Sequence, residues 1–361
     1  MERLTPLPWQ HVLWSQLVSW RERLPHALLL HGGRGIGKRH LMKAYAQLLL
    51  CESPIDATPC GRCAGCQLVA ADNHPDLRWL TPAALMPDRD DADGNGEDSE
   101  ADRTDTRSSK SKPSREIVID QVRKISEFLA ISSHRGGRRV VLLLPAEALN
   151  APAANALLKV LEEPPPGVTF LAVSDQLDAV LPTILSRCVL LRAPIPSHAH
   201  ALKWLQSKGV ERAEAKLAEA GRAPLCVEGE STPDVQQTLD PALHDALIKL
   251  LSRGAALSGA QIVSTVPKDI PVAPAIRLLQ RWGWDLLAER LAGRVRYYPQ
   301  HQREFAALGR TVEPVRVVEW TAALAQTQAV SDHPLNARLV IESALLGYAE
   351  AMRPQGAVTA G

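Results

Sequence analysis

The sequence predicts a parallel α/β sheet followed by an all-helical C-terminal half. Three observations carry this reading. The apolar runs Ala27–Leu30, Val140–Leu144 and Thr169–Val173 have the composition of strands covered on both faces, and helical stretches separate them. A glycine loop stands between the first of these runs and the helix-like stretch 38–50. Beyond Pro194 the strand signals fade, and Leu- and Ala-rich stretches continue to about residue 355.

Each element has its own signal. Residues 9–22 read as an amphipathic helix, with Val12, Leu13, Leu17 and Trp20 near helical spacing. Leu77–Leu80 after Pro75 is a further strand candidate, and Val122, Ile125, Phe128 and Leu129 share a helical face. Residues 151–163 read as a helix that Pro164–Pro166 stops. A short helix and a last strand, Val189–Arg192, follow. Residues 197–230 hold two or three short helices, Gly229–Pro233 has linker composition, and 241–355 is helical with breaks around Pro267–Pro274 and Pro334. Residues 86–115 are acidic, then Ser- and Lys-rich, and too poor in apolar side chains to offset the entropy of ordering them. A disordered loop is expected there, with an acidic partner-binding loop as the competing reading.

At 361 residues, with 45% apolar residues, the chain can form two or three domains with real cores. Its formal net charge of +1 gives no global basic field for nucleic acid or an anionic membrane. The N-terminus lacks the pattern of a secretion signal and nothing is long and apolar enough to span a bilayer, so a cytoplasmic protein is expected. Disulfides are disfavoured there, which leaves other work for the cysteines.

Four constellations carry chemistry. Gly32-Gly33-Arg34-Gly35-Ile36-Gly37-Lys38-Arg39 fits the phosphate-binding pattern G-x-x-x-x-G-K, in which backbone N–H groups and a lysine surround phosphates at a helix N-terminus. The pattern asks for Ser or Thr next, to ligate Mg²⁺, and here it is Arg39. The strand Val140–Leu144 should end in acidic residues that hold Mg²⁺ and orient water; Leu144, Pro145 and Ala146 stand there instead, and Glu147 comes where helical geometry turns it away. With both Mg²⁺ contacts missing, hydrolysis is expected to be lost.

Cys51, Cys60, Cys63 and Cys66 form two overlapping C-x-x-C units plus a fourth thiol, a set that satisfies tetrahedral Zn²⁺. A structural zinc site is favoured over a redox pair or fortuitous buried thiols, while Cys188 and Cys226 read as ordinary thiols. Arg187, in Ser186-Arg187-Cys188 between a helix and a strand, is either a satisfied surface cation or an arginine finger reaching a phosphoryl group on a neighbouring subunit. The residues alone leave both open. The basic cluster His134-Arg135-Gly136-Gly137-Arg138-Arg139 could touch phosphates, but a solvated loop is the favoured reading.

In this order the elements resemble the AAA+ clamp-loader family of bacterial DNA replication. The resemblance is carried by RLPHALLLHGGRGIGK (23–38), the cysteine module, HPDLRWL (74–80), IVIDQVRKI (117–125), APAANALLKVLEEPP (151–165) and TILSRC (183–188), and it thins beyond residue 240 to HPLNARLVIESALL (333–346). It implies an AAA+ P-loop domain over 1–193 with an inserted zinc module at 51–66, a small helical lid domain over 194–232 and a helical collar over 238–355. It further implies a ring with gamma or tau motor subunits and a delta subunit, which places the sliding clamp on primed DNA as part of the DNA polymerase III holoenzyme, without a membrane.

Within the family this chain resembles the stationary, non-motor type. Cys51, Cys60, Cys63 and Cys66 would hold structural Zn²⁺, and Arg187 would serve a neighbouring subunit's ATP. The residues Gly32, Gly35, Gly37, Lys38 and Arg39 form a degenerate nucleotide site, compatible at most with weak, non-hydrolytic nucleotide binding. No second sensor arginine matches near Gly221-Arg222-Ala223-Pro224. The alternatives are an active gamma/tau-type motor ATPase, which Leu144 and Pro145 oppose, and a stand-alone zinc-dependent nucleic-acid binder, which the near-neutral charge opposes.

Overall fold

The computed structural model describes residues 3–85, 114–131, 133–135, 137–228, 239–329 and 336–353. The expected loop up to residue 113, the linker Gly229–Pro233 and the break at Pro334 lie outside the described residues. The chain divides into two compact units, Met1–His200 and Ala201–Gly361.

In the first unit, β1 (Ala27–His31), β2 (Leu77–Leu80), β3 (Arg139–Leu143), β4 (Val168–Ser174) and β5 (Val189–Arg192) form one sheet in the order β2-β3-β4-β1-β5. Every pairing is parallel. Successive side chains on a strand point to opposite faces, so the apolar runs feed two cores. Leu28, Leu30, Val140, Leu142, Leu171 and Val173 pack with α1 (His11–Ser19) and α2 (Lys38–Leu49). Leu29, Val141, Leu143 and Phe170 pack instead with α4 (Ile119–Ala130) and α5 (Ala151–Glu162). Two-sided burial explains why these strands read as unbroken apolar runs rather than alternating ones.

The first helix is shorter than its apolar pattern suggests. Pro8–Gln10 forms a 3-10 turn, and α1 buries Leu13, Trp14 and Leu17 while Val12 stays 85% exposed. One residue before Leu13 lies about 100° round a helix, which takes Val12 off the buried stripe. In α5, Asn150 caps the start by accepting from Ala153 N at 3.0 Å.

The basic cluster is spent on structure. Buried Asp76 accepts from the backbone N–H groups of His134 and Arg135 at 2.8 and 3.2 Å. Arg138 donates to Arg21 O at 2.6 Å, and Arg139, itself buried, donates to Leu129 O at 2.7 Å. Arg135 pairs with Glu52 at 2.7 Å. The solvated-loop expectation thus describes His134 and Arg135, which are exposed, but not Arg139, which is buried at the start of β3 with its guanidinium bonded to carbonyls.

The second unit is helical and holds two separate apolar clusters. Ala201, Leu205, Ala213 and Leu217 form the small one, from the helices His198–Ser207 and Ala213–Glu219. The large one is built on the helix Val272–Ala292, where the Trp282 ring packs at 4.3 Å from the Phe305 ring, tilted by 44°, and Nε1 donates to Tyr348 Oη at 3.2 Å. Tyr348 Oη in turn donates to Leu251 O at 2.7 Å. Fully buried Asp285 accepts from Arg296, Tyr297 and Tyr298 N at 2.8, 2.8 and 2.7 Å, which turns the chain after the helix ends at left-handed Gly293. Among the described residues no helix is long and apolar enough to cross a membrane.

His244, on the helix Pro241–Leu251, faces Glu219 Oε1 through Nε2 at 2.8 Å and Asp245 through Nδ1 at 3.3 Å. The hydrogen bond to Glu219 raises the imidazole pKa, against the opposing effect of burial. A raised folded value stabilises the protein fully below the unfolded value, near 6.5, and that stability is lost as pH rises through the folded value. The melting temperature of wild type should therefore exceed that of His244→Gln at pH 6, and the gap should close by pH 9. A gap that widens with pH would contradict this assignment of the pair.

Candidate functional site

The glycine loop Gly32–Gly37 leaves the C-terminal end of β1 and enters α2, at the edge of the sheet where ligands of parallel α/β proteins usually sit. Gly37 has φ +86°, and a Cβ there would come within 2.4 Å of Leu7 Cδ1, so only glycine fits. The chain before α1 fastens the loop from outside. Gln10 donates to Gly37 O at 2.8 Å and Ile36 O at 3.1 Å, and Trp9 Nε1 donates to Ile36 O at 3.0 Å.

Inside the loop the lysine is already engaged. Lys38 Nζ, with its side chain 3% exposed, lies 2.6 Å from Asp175 Oδ1 and donates to Gly33 O at 2.6 Å. The other oxygen of Asp175 takes Arg34 Nε at 3.0 Å. The guanidinium of Arg39 lies 5.1 Å from the centre of the Trp79 ring on β2, in a cation–π contact. The Mg²⁺-binding hydroxyl of an active loop thus has no counterpart at this position.

Glu147, expected to be turned away from the loop, instead lies beside it. It sits on the 3-10 turn Ala146–Ala148 after β3, and its Oε1 accepts from Asp175 N at 2.9 Å and Gln176 N at 3.3 Å. It therefore fixes the turn that carries Asp175. His31, the last residue of β1, has its pKa lowered by burial and by the charges of Arg192 and Lys38. Reading the sequence for motifs missed Asp175, because it belongs to no pattern. The available signal was its position, a polar residue directly after a buried strand that runs beside the loop.

The cysteine module leaves the end of α2. Cys51 follows that helix, Cys63 caps α3 (Ala64–Ala70), and Cys66 lies within α3. The four sulfurs lie within 4.8 Å of one another, with Cys51–Cys63 and Cys60–Cys66 both at 3.9 Å. A tetrahedral ion with metal–sulfur bonds of about 2.3 Å needs sulfur–sulfur edges of about 3.8 Å, so the four residues fit a metal ion. Backbone N–H groups of Cys60, Cys63 and Cys66 point at Cys51, Cys60 and Cys63 sulfurs, each at 3.3 Å, which favours thiolates. Hydrogen bonds from the backbone of Arg62 and Cys63 pull Cys60 down to about 5, whereas burial pushes Cys66 up.

The module is anchored to α2. Gln47 Nε2 donates to Cys66 O at 2.9 Å, Lys43 pairs with Asp72 at 2.9 Å, and a Cβ on Gly65 would meet Leu50 O at 2.5 Å. Cys188 stands apart from the module, and burial raises its thiol to about 11.

Arg187 lies in the short turn between α6 (Pro182–Leu185) and β5, on a partly exposed side chain. Its Nη1 donates to Thr183 O at 2.9 Å and Ser186 Oγ at 3.1 Å, and Nη2 pairs with Glu162 at the end of α5. Glu162 lies within the quoted stretch APAANALLKVLEEPP, yet only the folded chain shows what it holds.

Three features are thus established: a glycine loop with its lysine engaged, a four-cysteine cluster fit for a metal, and an arginine on a corner. Comparison with known proteins adds the family. The sequence profile described as DNA polymerase III, delta subunit, matches residues 10–196. The DNA polymerase III subunit delta' of Pseudomonas aeruginosa is 36% identical over 337 residues, covering 92% of this chain and 90% of that one. The chain belongs to the DNA polymerase III delta' family. The delta' subunit of Haemophilus influenzae is 36% identical over 227 residues, or 61% of this chain and 60% of that one. The DNA polymerase III subunit gamma of a Buchnera aphidicola strain is 29% identical over 184 residues, 51% of this chain and 42% of that one.

Proposed function

We propose that this delta' family member acts in a clamp-loader ring with gamma or tau motor subunits and a delta subunit, and helps place the sliding clamp on primed DNA in the cytoplasm without hydrolysing ATP itself. The observation that carries the reading is the state of the glycine loop. Its lysine is held by Asp175 and Gly33 O, Arg39 lies over Trp79, and β3 runs out into Leu144 and Pro145. A loop that lacks the Mg²⁺-binding hydroxyl, with no acid at the end of β3 and with Asp175 paired to its cations, is poorly equipped to handle the metal on which phosphoryl transfer depends. The alternative of a gamma/tau-type motor lacks support for the same reason.

On this reading residues 1–193 are an AAA+ P-loop domain, 194–232 a lid and 238–355 a collar that joins the subunits. The separate small and large apolar clusters of the second unit are consistent with a lid and a collar. Cys51, Cys60, Cys63 and Cys66 hold Zn²⁺, which ties the loop after α2 to α3 and has no part in catalysis. Arg187 is the arginine finger. Its corner position and partly exposed side chain leave it within reach of a neighbour, and exchanging Glu162 for a phosphate keeps one anion on the same guanidinium.

Metal analysis of protein purified without chelators should find one zinc per chain, and freely reactive thiols at all four positions with no zinc would overturn that assignment. The finger is tested in the reconstituted ring. A finger contributes about 10³–10⁵ in rate at its own site. A ring has several ATP sites, so Arg187→Ala should lower DNA- and clamp-stimulated ATPase partly and clamp loading more severely, with assembly intact. Arg187→Lys should rescue poorly, because an ammonium lacks the planar fork. Wild-type loading rates with Arg187→Ala would leave Arg187 a surface cation.

A further inference from the structure

The glycine loop keeps the parts of a phosphate seat. It has glycines at positive φ at Gly35 and Gly37, a lysine at the start of a 12-residue helix, and a second cation in Arg34. What distinguishes it is that a carboxylate is already there. Asp175 Oδ1 lies 2.6 Å from Lys38 Nζ and Oδ2 lies 3.0 Å from Arg34 Nε, so one carboxylate spans both loop cations as a phosphate oxygen pair would. We propose that Asp175 is the residue that decides what this loop binds: its carboxylate serves as a built-in anion that excludes diphosphates, and removing that one charge reopens the loop to them.

The geometry shows why this anion is hard to displace. Asp175 is covalently tethered beside the loop, and Glu147 holds the turn through the Asp175 and Gln176 N–H groups. A dissolved anion must compete with an anchored one whose ordering was settled on folding, which is an effective-concentration handicap. Lys38 is almost fully buried and already directs a second N–H to Gly33 O, so it gains little by exchanging one anion for another in water. Arg39 and the missing acids account for lost hydrolysis, but they do not by themselves prevent a diphosphate from binding without Mg²⁺. Asp175 does. The inference concerns the loop alone and is independent of the role assigned to Arg187.

The test is calorimetric titration of the full chain with inorganic pyrophosphate, without magnesium, for wild type, Asp175→Asn, and Asp175→Asn combined with Lys38→Ala. Asparagine keeps the shape and the backbone N–H that Glu147 accepts. Asp175→Asn should bind pyrophosphate at least about tenfold more tightly than wild type, or about 1.4 kcal/mol, and the double variant should lose that gain. Thermal unfolding confirms that each variant is folded, and Asp175→Ser, equally uncharged, carries the same expectation should the asparagine variant misfold. Binding by the folded single variants equal to wild type would overturn the proposal, as would a gain that survives the loss of Lys38.

Discussion

The register of β1 on β4 is the constraint on which the rest of the first unit depends. His31 pairs with Ser174, and the ladder continues one step further through Gly32 N to Ser174 O at 3.3 Å. On the other side, Ala193 N extends β5 to His31 O at 2.8 Å. The glycine loop and the turn after β4 therefore start from adjacent points, and Lys38 and Arg34 meet Asp175 with no further adjustment. Slipping a parallel pair by one residue would invert every side chain between the two cores, so the fully buried Leu28, Leu29 and Leu30 hold that register firmly. Burying each such side chain contributes about 2 kcal/mol.

The second dependency runs through α2. The same helix that begins at Lys38 ends against the cysteine module, with Gln47 bonded to Cys66 O and Leu50 O packed where Gly65 has no side chain. It lies against the sheet through Leu41, Met42, Tyr45 and Leu48. A metal ion held by the four thiolates would therefore brace the far end of the helix that carries the loop lysine. The glycine loop is a well-determined part of the fold, because Trp9 and Gln10 clasp its carbonyls from outside and Asp175 satisfies its cations from inside.

Much of this was legible in the sequence because its causes are local. Two-sided burial produces apolar runs, so β1, β3 and β4 were readable to within a residue of their ends. Ligand spacing fixed the cysteine set, since C-x-x-C geometry is decided within a few residues of backbone. The rest depends on contacts distant in the chain. Asp175 meets Lys38 across 137 positions (175 − 38), and Arg187 meets Glu162 from the next element but one, and no short pattern encodes either. The basic cluster misleads at first sight for the same reason: Arg138 and Arg139 serve carbonyls at Arg21 and Leu129 that sequence order does not bring near. Val12 shows a smaller failure, in which apolar character was read as burial although the helix turns that position outward.

A subunit that serves its assembly without hydrolysing ATP should show no turnover of its own. The decisive measurement is steady-state ATP turnover by the isolated chain, with Mg²⁺ present and Lys38→Ala as the control. Negligible turnover is expected, with any residual rate unchanged in Lys38→Ala. Turnover at the rate of a motor ATPase that Lys38→Ala abolishes would contradict it.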